Sequence, residues 1–371
     1  MKTFAALFSG GGGVDVGLMA AGLSPLWGVE YDADIARVYR QNIGDHVIVA
    51  DVRSVDYVAL PHVDWLHASP VCTNASVANP NGKESETDIE TAQAVVRAIK
   101  EQSPQVFTLE NVWGYRDYAA FRLILNALAD GGYFYDFEHV NCADFGVPQT
   151  RKRLILRSSR GLLPALPQPV PWVGWYAAIE DLIPTLPDSQ LAPWQLERLP
   201  GDLREAVLIS NAKTEYGDGM AQAGAPAWSV TSNVLRRSRA VLVESRNTNQ
   251  QYGDGRRLAD EPATTVTTDG KPSHAPRAIL VPGILNGESQ RMTTRDGCDP
   301  SSTVTVHQRD IRAVLPTRTV AMTPRCLARF QSVPDWYQLP AKRTLAAKII
   351  GNMVPPPVMQ KIAENMLGGD W

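Results

Sequence analysis

The sequence predicts an α/β protein in which a doubly wound sheet is joined to a second, smaller β-rich domain. Three observations predict it. Over the first 160 residues, apolar runs of strand length alternate with helical stretches of about 10–15 residues. The runs end in glycines, acidic residues or a Ser-Pro step, which places chemistry-bearing residues at strand ends. Beyond a proline-rich stretch, a β-branched pattern recurs with a period of about 36 residues, the mark of a repeated supersecondary unit.

The elements follow in order. TFAALFSGGGG is an apolar run that breaks into glycines, and VDVGLMAAG continues with helical apolar spacing and a closing glycine. SPLWGVEYD is a second strand ending in acidic residues, ADIARVYRQNI is helical, and HVIVADV is a third strand ending in Asp. VDWLHASP is a fourth strand and DIETAQAVVRAIKEQ an amphipathic helix. PQVFTLENV is a fifth strand, YAAFRLILNALADGG a helix with a glycine stop, and YFYDFEHVN and RKRLILRSS are further strands. Strands joined by helices imply a parallel sheet, and ligands of such sheets sit at the carboxyl ends of the strands.

Composition narrows the classes. The 371 residues suit one large or two moderate domains, and 20% charged with 44% hydrophobic residues is ordinary for a soluble protein. The first apolar run enters glycines rather than a cleavage site, so no signal peptide is expected. No apolar stretch approaches the roughly 20 residues that span a bilayer. Cys72, Cys142, Cys298 and Cys326 form no C-x-x-C pair, which argues against a zinc site and against a disulfide framework. Net charge is −3, yet it is uneven: residues 1–100 hold seven Lys/Arg against twelve Asp/Glu, and residues 231–318 hold thirteen against nine. A basic segment beside an acidic one points to an anionic partner.

FSGGGG, residues 8–13, turns a strand into a helix, and its glycines let the backbone approach a ligand closely. Gly10 and Gly12 fit the start of a G-x-G-x-x-G turn, and the later glycines fit it only loosely; a tight turn with no ligand would use the same residues. Glu30 and Tyr31 after the second strand, and Asp51 after the third, favour a nucleoside. A carboxylate at Glu30 accepts from two ribose hydroxyls, Asp51 accepts from an adenine amino group, and an aromatic ring stacks on the base. The loop holds no lysine and is no triphosphate P-loop. Adenosine with little phosphate fits better.

SPVCTNAS, residues 69–76, carries Cys72. A lone cysteine after a strand is usually a small buried hydrophobe. Its company is different here. Glu110-Asn111-Val112 ends the fifth strand, FGVPQTRKRLIL alternates Gln149, Arg151 and Arg153, and GNMVPPPVMQKIAENM spans 351–366. Together FSGGGG, the carboxylate after strand two, Pro-x-Cys, ENV, Q-x-R-x-R and GN-x-V-PP run in order over nearly the full chain. The series resembles that of the cytosine-C5 DNA methyltransferase family.

The resemblance implies a Rossmann-like methyltransferase sheet with a β-rich target-recognition domain, and S-adenosylmethionine as cofactor. Phe8, Gly10, Gly12, Gly13, Glu30, Tyr31, Asp51, Val52, Asn352 and Val354 would line the cofactor site. Cys72 would add to cytosine C6, Glu110 would hold or protonate N3, and Arg151 and Arg153 would steady O2 and nearby phosphate. Val71, Asn111, Val112 and Gln149 would meet the base, which must leave the duplex. The polar loop 73–88 is the expected lid. One departure is Pro70-Val71-Cys72 where the family has Pro-Pro-Cys: valine keeps the carbonyl offered to the cytosine amino group but has a freer φ. Thr73 also stands where glutamine is common.

Residues 165–200 are proline-rich and read as a linker. Prolines at 226, 262 and 300, RAVLV, RAILV and RAVLP at 239, 277 and 312, and YGDG at 216 and 252 mark the repeat. Expected boundaries are 1–165 for the catalytic domain, 166–315 for linker and target recognition, and 316–371 for a catalytic return. Arg236, Arg237, Arg239, Arg256, Arg257, Arg291 and Arg295 are candidates for phosphate and guanine contacts. The expected setting is the cytoplasm of a bacterium or phage host, with double-stranded DNA as partner, a cognate restriction endonuclease as a second, no membrane, and a monomer, since one chain carries every motif. An RNA cytosine-C5 methyltransferase and a catalytically silent DNA-binding protein are the alternatives on the same residues.

Overall fold

The described residues of the computed structural model are 2–70, 83–189, 207–209, 220–222, 224–228, 239–243, 279–282, 311–314 and 317–368. Cys72, Val71, Thr73 and most of the expected lid lie outside them, as do Arg236, Arg237, Arg256, Arg257, Arg291 and Arg295.

Seven strands form the main sheet: β1 (Thr3–Leu7), β2 (Ser24–Glu30), β3 (Val47–Val49), β4 (Trp65–Ala68), β5 (Val106–Asn111), β6 (Phe134–Asn141) and, after the two-residue β7 (Gln149–Thr150), β8 (Lys152–Ser159). Their order is β3-β2-β1-β4-β5-β8-β6. β1, β4 and β5 lie in the middle, buried on both faces, which is why they read as nearly unbroken apolar runs. The order reverses between β1 and β4, and the crevice at such a switch point is where doubly wound sheets bind ligands.

The sheet is mixed rather than wholly parallel as expected. β8 pairs antiparallel with both β5 and β6. Only residues 142–151 join β6 to β8. A parallel crossover needs about a dozen residues or more, usually a helix, so the chain folds straight back.

The helices are α1 (Gly13–Ala20), α2 (Ala33–Asn42), α3 (Glu86–Gln102), α4 (Ala119–Asp130), α5 (Trp175–Ile179), α6 (Pro324–Phe330), α7 (Arg343–Asn352) and α8 (Pro356–Leu367). α3 opens with a capping box: Asp88 N donates to Ser85 Oγ at 3.3 Å, and Ser85 N donates to Asp88 Oδ2 at 2.7 Å. α8 packs Val358, Met359, Ile362 and Ala363 into one core with Phe4, Val14, Leu18 and Trp65. Each fully buried large aliphatic side chain contributes about 1.5–3 kcal/mol, enough for a few of them to fasten the end of the chain to its first strand.

The chain divides into two units: Met1–Leu182, Gly224–Arg236 and Thr323–Trp371 form the first, and Ile183–Ala223 with Arg237–Met322 form the second. The proline-rich stretch, expected to leave the sheet as a linker, belongs to the first unit through Leu182. Trp175 and Ile179 are fully buried, Trp172 Nε1 donates to Asp144 Oδ1 at 2.8 Å, and Arg329 pairs with Asp181 at 3.0 Å. In the second unit, β9 (Val207–Ile209) and β10 (Met220–Gln222) join β12 (Arg239–Val243) and β15 (Thr317–Ala321) in a four-stranded sheet, and β13 (Ile279–Pro282) pairs with β14 (Ile311–Val314). The three RAVLV-like segments thus supply β12, β13 and β14. The first proline-led unit of the repeat behaves differently: β11 (Ala227–Trp228) pairs in parallel with β7 inside the first unit.

The first turn of α1 buries Asp15 completely. Tyr39 Oη donates to Asp15 Oδ1 at 2.6 Å and lies 2.8 Å from His46 Nε2, while Asp15 Oδ2 has no partner. Burial pushes the carboxyl from 3.8 up to about 6. An acid whose folded pKa exceeds its unfolded value loses native stability as pH climbs between the two, here from about 4 to about 6. Asp15→Asn is therefore expected to stabilise the protein by up to about 3 kcal/mol at pH 8 and to gain little at pH 4. Urea unfolding at both pH values checks this, and equal effects at the two would contradict it.

Candidate active site

The first cluster is built on the turn after β1. Phe8, Gly10 and Gly12 have φ of 58°, 55° and 83°, all left-handed. Glycine adopts this freely, whereas Phe8 is strained by about 1–3 kcal/mol. Ser9 holds the strained step, its N donating to Val29 O at 2.9 Å and its Oγ to Ala6 O at 2.8 Å. Glu30 then fastens the turn: Gly10 N donates to Oε2 at 2.9 Å and Asp32 N to Oε1 at 2.8 Å. Each oxygen keeps a further lone pair. A Cβ placed on Gly10 would meet nothing nearer than Phe8 O at 3.9 Å, so the space above the turn is open. An anchored carboxylate beside an open glycine suits the diol of an adenosine.

Tyr31, next along, is 76% exposed. Asp51 is turned toward Arg53, which donates to it from Nη2 at 2.7 Å and from its backbone N at 2.9 Å, and this hydrogen bonding holds the carboxyl below the usual carboxylate range. Val52 is buried in the core.

Gly11 and Gly13 serve a packing end. A side chain on Gly13 would run into Met353 and the carbonyl of Val354; one on Gly11 would meet Ile349, Met353 and the Tyr337 hydroxyl, which donates to Gly11 O at 2.6 Å. The sequence assigns Gly13 and Val354 to a cofactor, and in the structure they meet each other. Val354 is buried with Val14 and Leu18, and Asn352, the last residue of α7, is exposed.

The second cluster sits at the end of β5. Glu110 Oε1 is 2.9 Å from Arg153 Nε, with side chains only 8% and 17% exposed. The contact is an ion pair off the hydrogen-bond line, since Oε1 has no aligned donor. In register Asn111 faces Leu154, so Arg153 stands one residue beyond the end of β5. Arg151 is buried in the break between β7 and β8, its N donating to Asn141 Oδ1 at 3.1 Å. Burial pushes the Cys142 thiol up to about 11, against the smaller opposing pull of Arg151 and Arg153.

Asn111 and Gln149, read as base contacts, have other partners. Asn111 is 2% exposed; its Nδ2 donates to Pro70 O at 3.2 Å, and Val112 N donates to its Oδ1 at 2.8 Å. It ties the ENV motif to the residue two before Cys72. Gln149 is fully buried and donates to Phe330 O at 3.4 Å. Val112 precedes a short 3-10 turn at Trp113–Asp117. Sequence reasoning missed the Asn111–Pro70 tie because a polar residue at a strand end looks like a ligand contact until its partner 41 positions away is known.

The family model of C-5 cytosine-specific DNA methylases matches residues 2–368. The Type II methyltransferase M.Bsp6I of Bacillus sp. (strain RFL6) is 33% identical over 168 residues, 44% of this chain and 53% of that protein, so the match spans about half the relative's length. M.XorII of Xanthomonas oryzae pv. oryzae is 24% identical over 393 aligned residues, covering 97% of this chain and 83% of its own. Among solved structures, the S. pombe Dnmt2 methyltransferase superposes with a TM-score of 0.58 at 11% identity, covering 99% of both chains. The Entamoeba histolytica methyltransferase EhMeth gives 0.58 at 12% identity, covering 99% of this chain and 98% of that one. At such identities the likeness is one of fold. With the family model running through both clusters and across both units, the chain belongs to the C-5 cytosine-specific DNA methylase family.

Proposed function

We propose that the chain transfers a methyl group to C5 of a cytosine in a specific sequence of duplex DNA, through a covalent Cys72–C6 adduct. The observation that carries the reading is the tie between the two catalytic motifs. Asn111, next to Glu110, donates to Pro70, two residues before Cys72, and β5 lies beside β4. In the proposed reaction the Cys72 thiolate adds to C6, forming a C–S bond and sending electron density toward N3. Glu110 holds a proton at N3, while Arg153 and Arg151 steady O2. C5 is left enamine-like. Held at Glu30 and the glycine turn, S-adenosylmethionine supplies an electrophilic methyl group. C5 would take that methyl as its bond to the sulfonium sulfur breaks, leaving S-adenosylhomocysteine, and loss of the C5 proton to solvent would then expel the Cys72 thiolate and restore the ring. The base must first leave the stack, because C6 and N3 are out of reach inside a duplex.

The basic segment 231–318 supplies the DNA contacts in this reading. Arginines there pair with phosphates, and some read guanine edges. The Type II names of the relatives support a cognate restriction endonuclease as the biological partner. A monomer working on cytoplasmic DNA completes the proposal. Among the described residues, no helix is long and apolar enough to cross a membrane.

Labelled methyl transfer to duplex DNA and to tRNA, run in parallel, tests the substrate. The proposal expects label in DNA as 5-methylcytosine and none in tRNA; label in tRNA alone would overturn it. The cofactor assignment has its own check. Glu30→Ala removes the acceptor for Gly10 N and for the ribose, and is expected to weaken S-adenosylmethionine binding by about 10- to 100-fold, as the loss of hydrogen bonds to a charged group implies. Isothermal titration calorimetry reads this directly, and an unchanged affinity would remove Glu30 from the site.

A further inference from the structure

β4 carries a histidine that no step of the reaction uses. His67 is 1% exposed and sits in a chain of side-chain hydrogen bonds. Trp65 Nε1 donates to Thr108 Oγ1 at 2.9 Å, Thr108 Oγ1 lies 2.9 Å from His67 Nδ1, and His67 Nε2 lies 2.9 Å from Ser69 Oγ. The parallel register of β4 and β5 sets this up, with His67 directly opposite Thr108.

Burial pushes the imidazole down to about 3, so the ring is neutral, with one nitrogen donating and the other accepting. The Thr108 hydroxyl, itself buried, already accepts from Trp65, and its own proton needs an acceptor. His67 Nδ1 is that acceptor. Nε2 therefore carries the ring proton and donates to Ser69 Oγ. Ser69 N also donates to Leu7 O at 3.3 Å, and Asn111 holds the carbonyl of Pro70. Two consecutive residues at the entry to the nucleophile's segment are thus each fixed by a side chain from the sheet.

We propose that His67 is a positioning residue for the nucleophile: by donating to Ser69 it fixes the chain three residues before Cys72, at the end of the strand beside the one that carries Glu110. The proposal rests on the reading of Cys72 as nucleophile. Misplacing a reacting group by about 1 Å can lower a rate about 100-fold, so a loosened segment has a measurable signature.

The test is the rate of adduct formation on duplex DNA carrying 5-fluorocytosine, at saturating S-adenosylmethionine, for the wild type, His67→Leu, His67→Gln and Ser69→Ala. Circular dichroism confirms that each is folded at the assay temperature. His67→Leu and Ser69→Ala are expected to form adduct at least about 10-fold more slowly, with cofactor affinity within about twofold of wild type. His67→Gln, whose amide can still donate to Ser69, is expected to recover most of the rate. A purely structural histidine would lower the melting temperature without moving this rate in folded protein. The proposal is overturned if the folded variants trap at the wild-type rate, if they slow only through weaker cofactor binding, or if glutamine is no better than leucine. Should His67→Leu fail to fold, Ser69→Ala decides, because Ser69 is half-buried and its loss leaves the Trp65–Thr108–His67 chain intact. Wild-type protein that forms no adduct sinks the underlying reading instead, a result distinct from equal rates across the series.

Discussion

Cys72→Ser is expected to lower methyl transfer to DNA on the order of ten-thousand-fold or more, the scale seen when an enzyme loses its covalent nucleophile. A serine hydroxyl of nearly the same size is far less ionised and far less nucleophilic than a thiol, so addition to C6 stops while the surroundings stay intact. Cofactor affinity is expected to hold, since the glycine turn follows β1 and Glu30 ends β2, whereas Cys72 follows β4. Steady-state kinetics with labelled cofactor, beside calorimetric titration, separates the two effects. A serine protein retaining more than about a tenth of wild-type turnover would rule out the covalent route.

Glu110→Gln carries the second large effect, about 100- to 10,000-fold in turnover, the range for a positioned general acid. The glutamine amide fills the same space and can donate a hydrogen bond, yet it cannot deliver a proton to N3. The change also removes the charge facing Arg153 in a pair that is only 8% and 17% exposed. A buried charge that loses its partner typically destabilises a fold by about 3–5 kcal/mol. Turnover should therefore be measured well below the variant's own melting temperature. A Glu110→Gln protein with turnover within about threefold of wild type would exclude proton delivery by this residue.

Much of the first unit was legible in the sequence for a simple reason. Central strands buried on both faces must be apolar along their length, and TFAAL and VFTLEN are nearly so. α3 announces itself by Ser85 and Asp88 at capping-box spacing before an amphipathic run. The reversed direction of β8 was less visible, because apolar periodicity carries no information about strand direction; only the short 142–151 connection does. The chemical types at the site were legible as motifs, but their division of labour was not. Gly13 and Val354 lie more than 300 positions apart, and no local pattern tells that the fold sets one against the other. Asn111 and Gln149 turn inward to Pro70 and Phe330 for a similar reason. The Asp15–Tyr39–His46 and Trp65–Thr108–His67–Ser69 arrays, made of single residues drawn from separate elements and turns, leave no periodic trace.

Everything in the catalytic account turns on a sulfur and a carboxyl meeting one extruded pyrimidine. The most direct measurement is peptide mapping of the complex trapped on 5-fluorocytosine duplex DNA in the presence of S-adenosylmethionine. The account predicts a denaturation-resistant complex whose nucleotide is attached through Cys72, and none from Cys72→Ser. Attachment at another residue, or a complex that survives the serine substitution, would contradict it.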